Sequence, residues 1–258
     1  MGVINTTPDS FSDVGLFCEV KHALEHARKL IGEGADILDI GGESTRPGAL
    51  PVSIDEEVRR TIPLIEAIRK FSDIPISIDT SKAQVMRAAA EAGADIINDV
   101  WALRHEGALE AAVSSDLIVC LMHMQGAPAT MQNKPSYQNV VAEVKGFLQQ
   151  RIDIAVTAGV PAKKLWIDPG FGFGKTLQQN LQLLNDLSEL KIMGYHLLVG
   201  LSRKSMLGLI LDKPVEQRLF GSLSAAVIAA MAGADIIRVH DVSETSDVLD
   251  IVRALRRL

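Results

Sequence analysis

The chain has 258 residues, 47% of them hydrophobic and 22% charged, with a net charge of −6, which suits one large globular domain or two small ones. The acidic balance argues against a nucleic-acid-binding surface, and no apolar run approaches the ~18 residues that a membrane span needs. Cys18 and Cys120 are too few for a disulfide framework and lack metal-ligand spacing, and the opening MGVINTTPDSFSD has neither a basic segment nor a long apolar stretch. The expectation is a cytoplasmic protein with free thiols and no membrane partner.

In chain order, eight short aliphatic segments read as strands: GVIN (2–5), DILDI (36–40), PISID (75–79), DIIND (95–99), LIVCLM (117–122), KLWID (164–168), HLLVG (196–200) and DIIRV (235–239). Three of them lie within the near copies GADILDI, GADIIND and GADIIRV. Their nearly continuous apolar character suits a parallel sheet buried on both faces. Helical periodicity fills the intervals. Ala23, Leu24, Ala27, Leu30 and Ile31 share one face, as do Val58, Ile62, Ile65 and Ile68 behind a predicted Ser53-x-x-Glu56 capping box. Val85, Ala88, Ala89 and Ala92 repeat the pattern, and a last helix is predicted over 244–256. Eight strand–helix units in a chain of this size predict an α/β fold, a single-domain (β/α)8 TIM barrel spanning 1–258, with a doubly wound open sheet as the alternative. Helix-to-strand turns such as GEGAD are minimal, whereas long segments follow the first, second and fifth strands. Those long loops mark the carboxyl ends of the strands as the working face.

Polar residues gather at that face. Asn5, Asp39, Asp79, Asn98 and Asp168 end their strands, Ser202-Arg203-Lys204 follows the seventh, and Arg238 and His240 close the eighth. Asp79, Asn98 and Asp168 suit a flat heterocycle with an amino group and ring N–H donors. Arg46, Arg238 and His240, with the hydroxyls of Ser44 and Thr45, suit a phosphate or diphosphate. Asn5 is a neutral oxygen ligand acceptable to a Mg²⁺ that keeps most of its waters. Asp39 and Asp99 each have a plainer reading, capping a turn or pairing with a neighbour. His123 reads as a structural histidine, and Met122 and Met124 as core or pocket wall. The stretch DPGFGFGKT (168–176) ends like a phosphate-binding loop, yet only three residues separate Gly170 from Gly174, so neither the P-loop nor the dinucleotide fingerprint fits.

The segments MGVINTTPDSFSD, DIGGESTRPGA, ISIDTSK, IINDV, LMHMQGAPATMQ, DPGFGFGK, GLSRKSM and IIRVHDV together resemble the ordered motif series of the dihydropteroate synthase family. The resemblance implies condensation of 6-hydroxymethyl-7,8-dihydropterin diphosphate with p-aminobenzoate, Mg²⁺ as cofactor, sulfonamide inhibition and a homodimer. That dimer would form through late helices such as FGSLSAAVIAAMAG. It implies a pterin pocket of Asp79, Asn98, Asp168, Lys204 and Arg238, with Met122 as a further substrate contact. Diphosphate or Mg²⁺ contacts would come from Asn5, Arg46, Arg238 and His240. The arylamine side would hold Thr45, Pro47, Phe173, Lys204 and Ser205, and Asp9, Phe11, Ser12 and Asp13 would belong to a first loop that closes. Val14 stands where the family's loop has glycine, and the chain begins at the first strand, which leaves the barrel floor less covered. Alternatives are a pterin-binding paralogue without turnover, a pterin-dependent methyltransferase, and a Schiff-base aldolase using Lys204.

Overall fold

The structure is a computed structural model, and it describes residues 1–6, 16–44, 49–126, 131 and 135–256. Its strands are β1 (Gly2–Asn5), β2 (Leu38–Gly41), β3 (Ile76–Asp79), β4 (Ile96–Asp99), β5 (Ile118–Met122), β6 (Leu165–Asp168), β7 (His196–Val199) and β8 (Ile236–Ile237). Among the described residues ten α-helices accompany them: α1 (Leu16–Gly32), α2 (Ile54–Arg69), α3 (Ala83–Glu91), α4 (Ala108–Ser115), α5 (Val140–Ala158), α6 (Leu177–Asn185), α7 (Ser188–Lys191), α8 (Ser205–Leu211), α9 (Leu219–Met231) and α10 (Val242–Leu255). All strand pairs are parallel and follow chain order. The sheet closes because Val3 N donates to Val239 O at 3.0 Å and Val239 N to Met1 O at 2.9 Å. This is the predicted barrel. The eighth strand is shorter than 235–239, since Arg238 continues the ladder only through its N–H to Val199 O at 2.9 Å.

Strand alternation sorts the side chains. Leu38, Ile40, Ile76, Ile78, Ile97, Leu121, Ile167 and Val199 join the core shared with the helices. Their neighbours face inward, where Met1, Ile96, Cys120, Trp166 and Leu198 fill the floor together with Ile37, Ile118 and Ile236. The expectation of a poorly covered floor is therefore not met on the inner side. Above this apolar layer the inward positions turn polar: Asp39 pairs in register with Ser77, and Asp79 with Asn98.

The repeated GAD triplets have a local cause. Gly34, Gly93 and Gly233 take φ of 92°, 102° and 105°, and the following Ala35, Ala94 and Ala234 donate to Leu30, Ala89 and Ala229 carbonyls, closing each helix with a Schellman turn. In two of the three, the aspartate then ties the strand it opens to the one before it. Asp95 Oδ2 accepts from Ile76 N at 2.8 Å, and Asp235 Oδ2 from Leu197 N at 2.8 Å.

Helix starts depart from prediction in two places. Ser53 Oγ does accept from Glu56 N at 3.3 Å, but the Glu56 carboxylate binds Arg59 and Arg60 instead of returning to the cap, so the box is only half formed. A complete capping box occurs at Thr176 and Gln179, ahead of α6. The last helix begins two residues before its predicted start of 244 and ends at 255.

The segments flanking residues 45–48 are fastened to the barrel wall. Lys82, the cap residue of α3, donates to both Glu43 and Glu57, and Glu57 is only 1% exposed. Arg60 donates to Gly42 O at 2.9 Å. Lys82→Met would leave the Glu57 carboxylate buried without its cation. The expected result is a loss of about 3 kcal/mol in unfolding free energy, read from the denaturant midpoint.

Candidate active site

The centre of the barrel mouth is an ion-paired triad drawn from three strands. Arg238 donates through Nε to Asp39 Oδ2 at 2.6 Å and through Nη2 to Asp79 Oδ2 at 2.8 Å. Asp39 is fully buried, and Asn98 Nδ2 approaches its two oxygens at 3.5 and 3.4 Å. These last bonds are weak by length, but a carboxylate can only accept, so the amide nitrogen faces Asp39 and Oδ1 is turned away. Burial disfavours charge on Arg238, yet Asp39 and Asp79 outweigh it and its pKa is raised. Burial raises the Asp79 pKa against the pull of Arg238, with Asp39 adding to the rise. Removing a guanidinium that touches two carboxylates would leave both buried charges exposed to each other.

Across the mouth, Asp168 ends β6 and Met122, its register partner, ends β5. Asp168 Oδ1 accepts from Gly170 N at 2.7 Å, and burial raises its pKa while Lys204 opposes. Lys204 donates to Phe171 O and lies 4.9 Å from the ring centre of Phe173. Burial pulls its pKa down to about 8, against the attraction of Asp168. Lys204 therefore carries a proton it can lose near neutral pH, beside a carboxyl that holds its own more tightly than usual.

The glycine loop passes close under other backbone. Gly170 and Gly174 have φ of 67° and 63°, and a Cβ on them would meet His123 O at 1.9 Å and Gln125 O at 2.5 Å. Only glycine fits there. The loop thus brings Phe173, half-buried, against the apolar cluster of Val100, Met122, Met124 and Met131.

At the rim, His240 Nδ1 lies 3.0 Å from Ser202 Oγ, which also accepts from His240 N at 3.2 Å. In one neutral tautomer the Ser202 hydroxyl donates to Nδ1 and Nε2 carries the ring proton; in the other, Nδ1–H donates to Ser202 Oγ. Arg203 turns away, forming a two-point pair with Asp241 at 2.9 and 2.5 Å in a left-handed backbone of φ 57°. That geometry separates Ser202 from Lys204, and Ser205 opens α8 exposed to solvent. Asn5 ends β1 half-buried, in register with Gly41.

Asp79, Asn98, Asp168, Lys204, Arg238, Met122 and Phe173 thus converge at one mouth, and Asn5, Ser205 and His240 belong to its strand ends and rim. Thr45, Arg46, Pro47, Asp9, Phe11, Ser12, Asp13 and Val14 lie outside the described residues. Asp99 proves to be a turn cap, accepting from Trp101 N at 2.8 Å and Leu103 N at 2.7 Å, and His123 is structural. Sequence reasoning undervalued Asp39. Its strand-end position was the available signal, and its partners could not be read locally: Arg238 is 199 positions distant and Asn98 is 59.

This fold and mouth define an enzyme that reads a flat heterocycle, and residues 1–240 match the profile described as pterin binding enzyme. The chain belongs to that family. Dihydropteroate synthase of Haemophilus influenzae is 54% identical over 254 residues, covering 98% of this chain and 92% of that one. The Yersinia pestis dihydropteroate synthase, solved with a sulfonamide drug complex, superposes with a TM-score of 0.96 at 52% identity, covering 100% of this chain and 94% of that one. The Xanthomonas albilineans dihydropteroate synthase with 4-aminobenzoic acid gives 0.94 at 49% identity, covering 100% and 93%. Within the pterin-binding enzymes, this chain is a member of the dihydropteroate synthase family.

Asp39→Asn keeps the shape of the buried carboxylate and removes its charge, freeing Arg238 and the Asn98 amide from a fixed direction. The variant is expected to fold and to lose about 100-fold in kcat/KM for the pterin substrate, the scale of a small misplacement of a binding group. Steady-state kinetics beside a thermal melt checks this.

Proposed function

We propose that this chain condenses 6-hydroxymethyl-7,8-dihydropterin diphosphate with p-aminobenzoate, giving 7,8-dihydropteroate and diphosphate. The observation that carries the reading is the convergence of Asp79, Asn98, Asp168, Lys204 and Arg238 on one barrel mouth. Carboxylates and the Asn98 amide oxygen accept from the amino and ring N–H groups of the pterin, while Lys204 donates to its carbonyl or ring nitrogen. The Arg238 guanidinium, held edge-on by Asp39 and Asp79, lies along the pterin and faces the diphosphate. Phe173 and Met122 wall the arylamine side.

The reaction needs no strong base. The bond from the pterin methylene carbon to the diphosphate oxygen breaks, and its electron pair leaves with diphosphate. Positive charge on the methylene spreads into the electron-rich dihydropterin ring. Arg238 and the Nε2–H of His240 stabilise the departing anion through fixed donors. The arylamine nitrogen then bonds to the methylene carbon, and the resulting ammonium loses its proton readily.

The residues present suit Mg²⁺ in a limited way. Asn5 offers one neutral amide oxygen, and among the described residues no group of three His, Cys, Asp or Glu side chains could hold a metal. Such a site fits an ion carried by its waters and by the diphosphate, with Asn5 as its protein ligand. When bound, the ion would supply charge neutralisation to the diphosphate oxygens.

Incubating both substrates with the protein should yield dihydropteroate and diphosphate, and Asp168→Ala and Lys204→Ala should each lower kcat/KM by about 100-fold or more. A folded parent protein that binds the pterin diphosphate and makes no product would overturn the reading in favour of a paralogue without turnover. The low pKa of Lys204 sets a pH limit. Its ammonium is present below about pH 8 and is lost above it, so kcat/KM for the pterin diphosphate should fall on an alkaline limb near that value. Lys204→Arg should move the limb upward, because guanidinium does not titrate there.

The protein is proposed to work in the cytoplasm. Among the described residues no helix is long and apolar enough to cross a membrane. It is also proposed to pair with a second copy of itself. Phe220, Ile228 and Met231 form one exposed stripe on α9, beside Leu209 and Ile210 of α8 and Ile251 and Leu255 of α10. The three helices are joined here, for a Cβ on Gly221 would meet Leu211 Cδ1 at 2.7 Å and Arg256 donates to Ala230 O. Exposed apolar side chains carried on three joined helices suit a self-complementary twofold interface. Phe220 is 75% exposed, so Phe220→Asp should leave the fold intact and shift the protein from dimer to monomer in sedimentation.

A further inference from the structure

The stretch DPGFGFGKT carries a lysine, Lys175, that no phosphate-binding loop explains. Lys175 is 3% exposed, and no salt bridge joins it to a carboxylate among the described residues. Its Nζ instead donates to Gly170 O at 2.8 Å and Phe173 O at 3.1 Å, and lies 3.0 Å from His123 Nδ1. Burying an amine costs free energy, which the two carbonyls and the imidazole offset by hydrogen bonds.

What depends on it is the loop. Gly170 accepts from Lys175 through its carbonyl oxygen and donates to Asp168 Oδ1 through its N–H, so the two peptide units on either side of its Cα are both held. The Phe173 carbonyl is the other grip, and the aromatic ring on that residue lies beside Lys204. Within the loop Phe173 N also donates to Gly170 O at 3.1 Å, and three further groups are tied from outside: Gly172 N to Asn180 Oδ1 at 2.8 Å, Gly174 O to Tyr137 Oη at 2.8 Å, and Phe171 O to Lys204. Asn180 also donates to Lys175 O at 3.1 Å, holding the lysine backbone at the start of α6. The loop is thus folded around an internal cation-forming group as other loops fold around a bound ion.

We propose that Lys175 is a positioning residue that couples the two halves of the active site, fixing the direction of Asp168 through the two peptide units that flank Gly170 and the position of Phe173 through its carbonyl. This rests on the assignment above of Asp168 to the pterin and Phe173 to the arylamine. The hub keeps its geometry in either protonation state. As an ammonium, Lys175 has three N–H groups for three acceptors. As an amine it gives two N–H groups to the carbonyls and accepts from Nδ1–H of the other His123 tautomer. Burial brings its pKa down to about 7, with Asp168 opposing, so both forms are within reach. Burial also pulls the His123 pKa down to about 2, with Lys175 adding to the fall, and the ring stays neutral throughout.

The test is a double-mutant cycle between Lys175→Met and Phe173→Ala, with KM measured for each substrate. Methionine fills the space and abandons both carbonyls. Lys175→Met is expected to raise KM for p-aminobenzoate tenfold or more, and to do so less than twofold in the Phe173→Ala background, because an effect exerted through the ring vanishes with the ring. A folded Lys175→Met with KM unchanged within twofold overturns the proposal, as does a tenfold loss that persists in Phe173→Ala. Should Lys175→Met fail to fold, Lys175→Gln enters the same cycle under the same criteria. A parent protein without turnover overturns the assigned reaction and not the hub. The hub is then read from amide hydrogen exchange of residues 170–174, which should quicken in Lys175→Met and overturns the proposal if unchanged.

Discussion

Everything at the mouth of this barrel depends on one cation held between two buried carboxylates. Arg238 reaches the interior from a strand of only two residues, and its guanidinium touches Asp39 from β2 and Asp79 from β3. Without it, two like charges would share a site with little water to screen them. With it, the carboxylates are fixed in direction, the Asn98 amide is oriented by Asp39, and the last strand is tied to the second and third as well as to its ladder neighbours. The same contacts that make a binding surface therefore help to close the barrel.

The polar layer is possible because the layer beneath it is apolar. Met1, Ile96, Cys120, Trp166 and Leu198 seal the floor. Charges above such a seal are poorly hydrated, which explains why Asp168 is raised and Lys204 lowered toward each other. A carboxyl whose pKa is raised and an amine whose pKa is lowered in this way can read a polar heterocycle by hydrogen bonds.

The supporting structure around the mouth is built from side chains that bind backbone. Asn180, Tyr137 and Lys175 hold the glycine loop by its peptide groups, and Lys82 with Glu43 and Glu57 fastens the turn after β2. Loops fixed through their main chain leave the functional side chains unencumbered. Arg203 serves the same end, since pairing with Asp241 removes a third cation from the mouth and sets Lys204 and Ser202 apart.

The sequence by itself determined the barrel, the working face and most of the polar residues on it. Those features rest on local regularities: alternation of two along a strand, a period near four along a helix, and the GAD triplet that closes a helix and opens a strand. The residues that hold the site in shape were decided only by the tertiary structure. Asp39 and Asp99 look alike as strand-end aspartates, yet one faces inward to Arg238 and the other caps a turn, because Asp39 falls on an inward position of its strand and Asp99 on an outward one. Likewise Glu56 satisfied a helix-cap pattern on paper, but two arginines on its own helix compete for the carboxylate and win. Lys175 had no role in the sequence once the phosphate-loop spacing failed, and only the fold, which brings His123 to it from 52 positions away in the chain, gives it a place. Local pattern fixes which face a residue points to, and closure of the barrel fixes what it meets there.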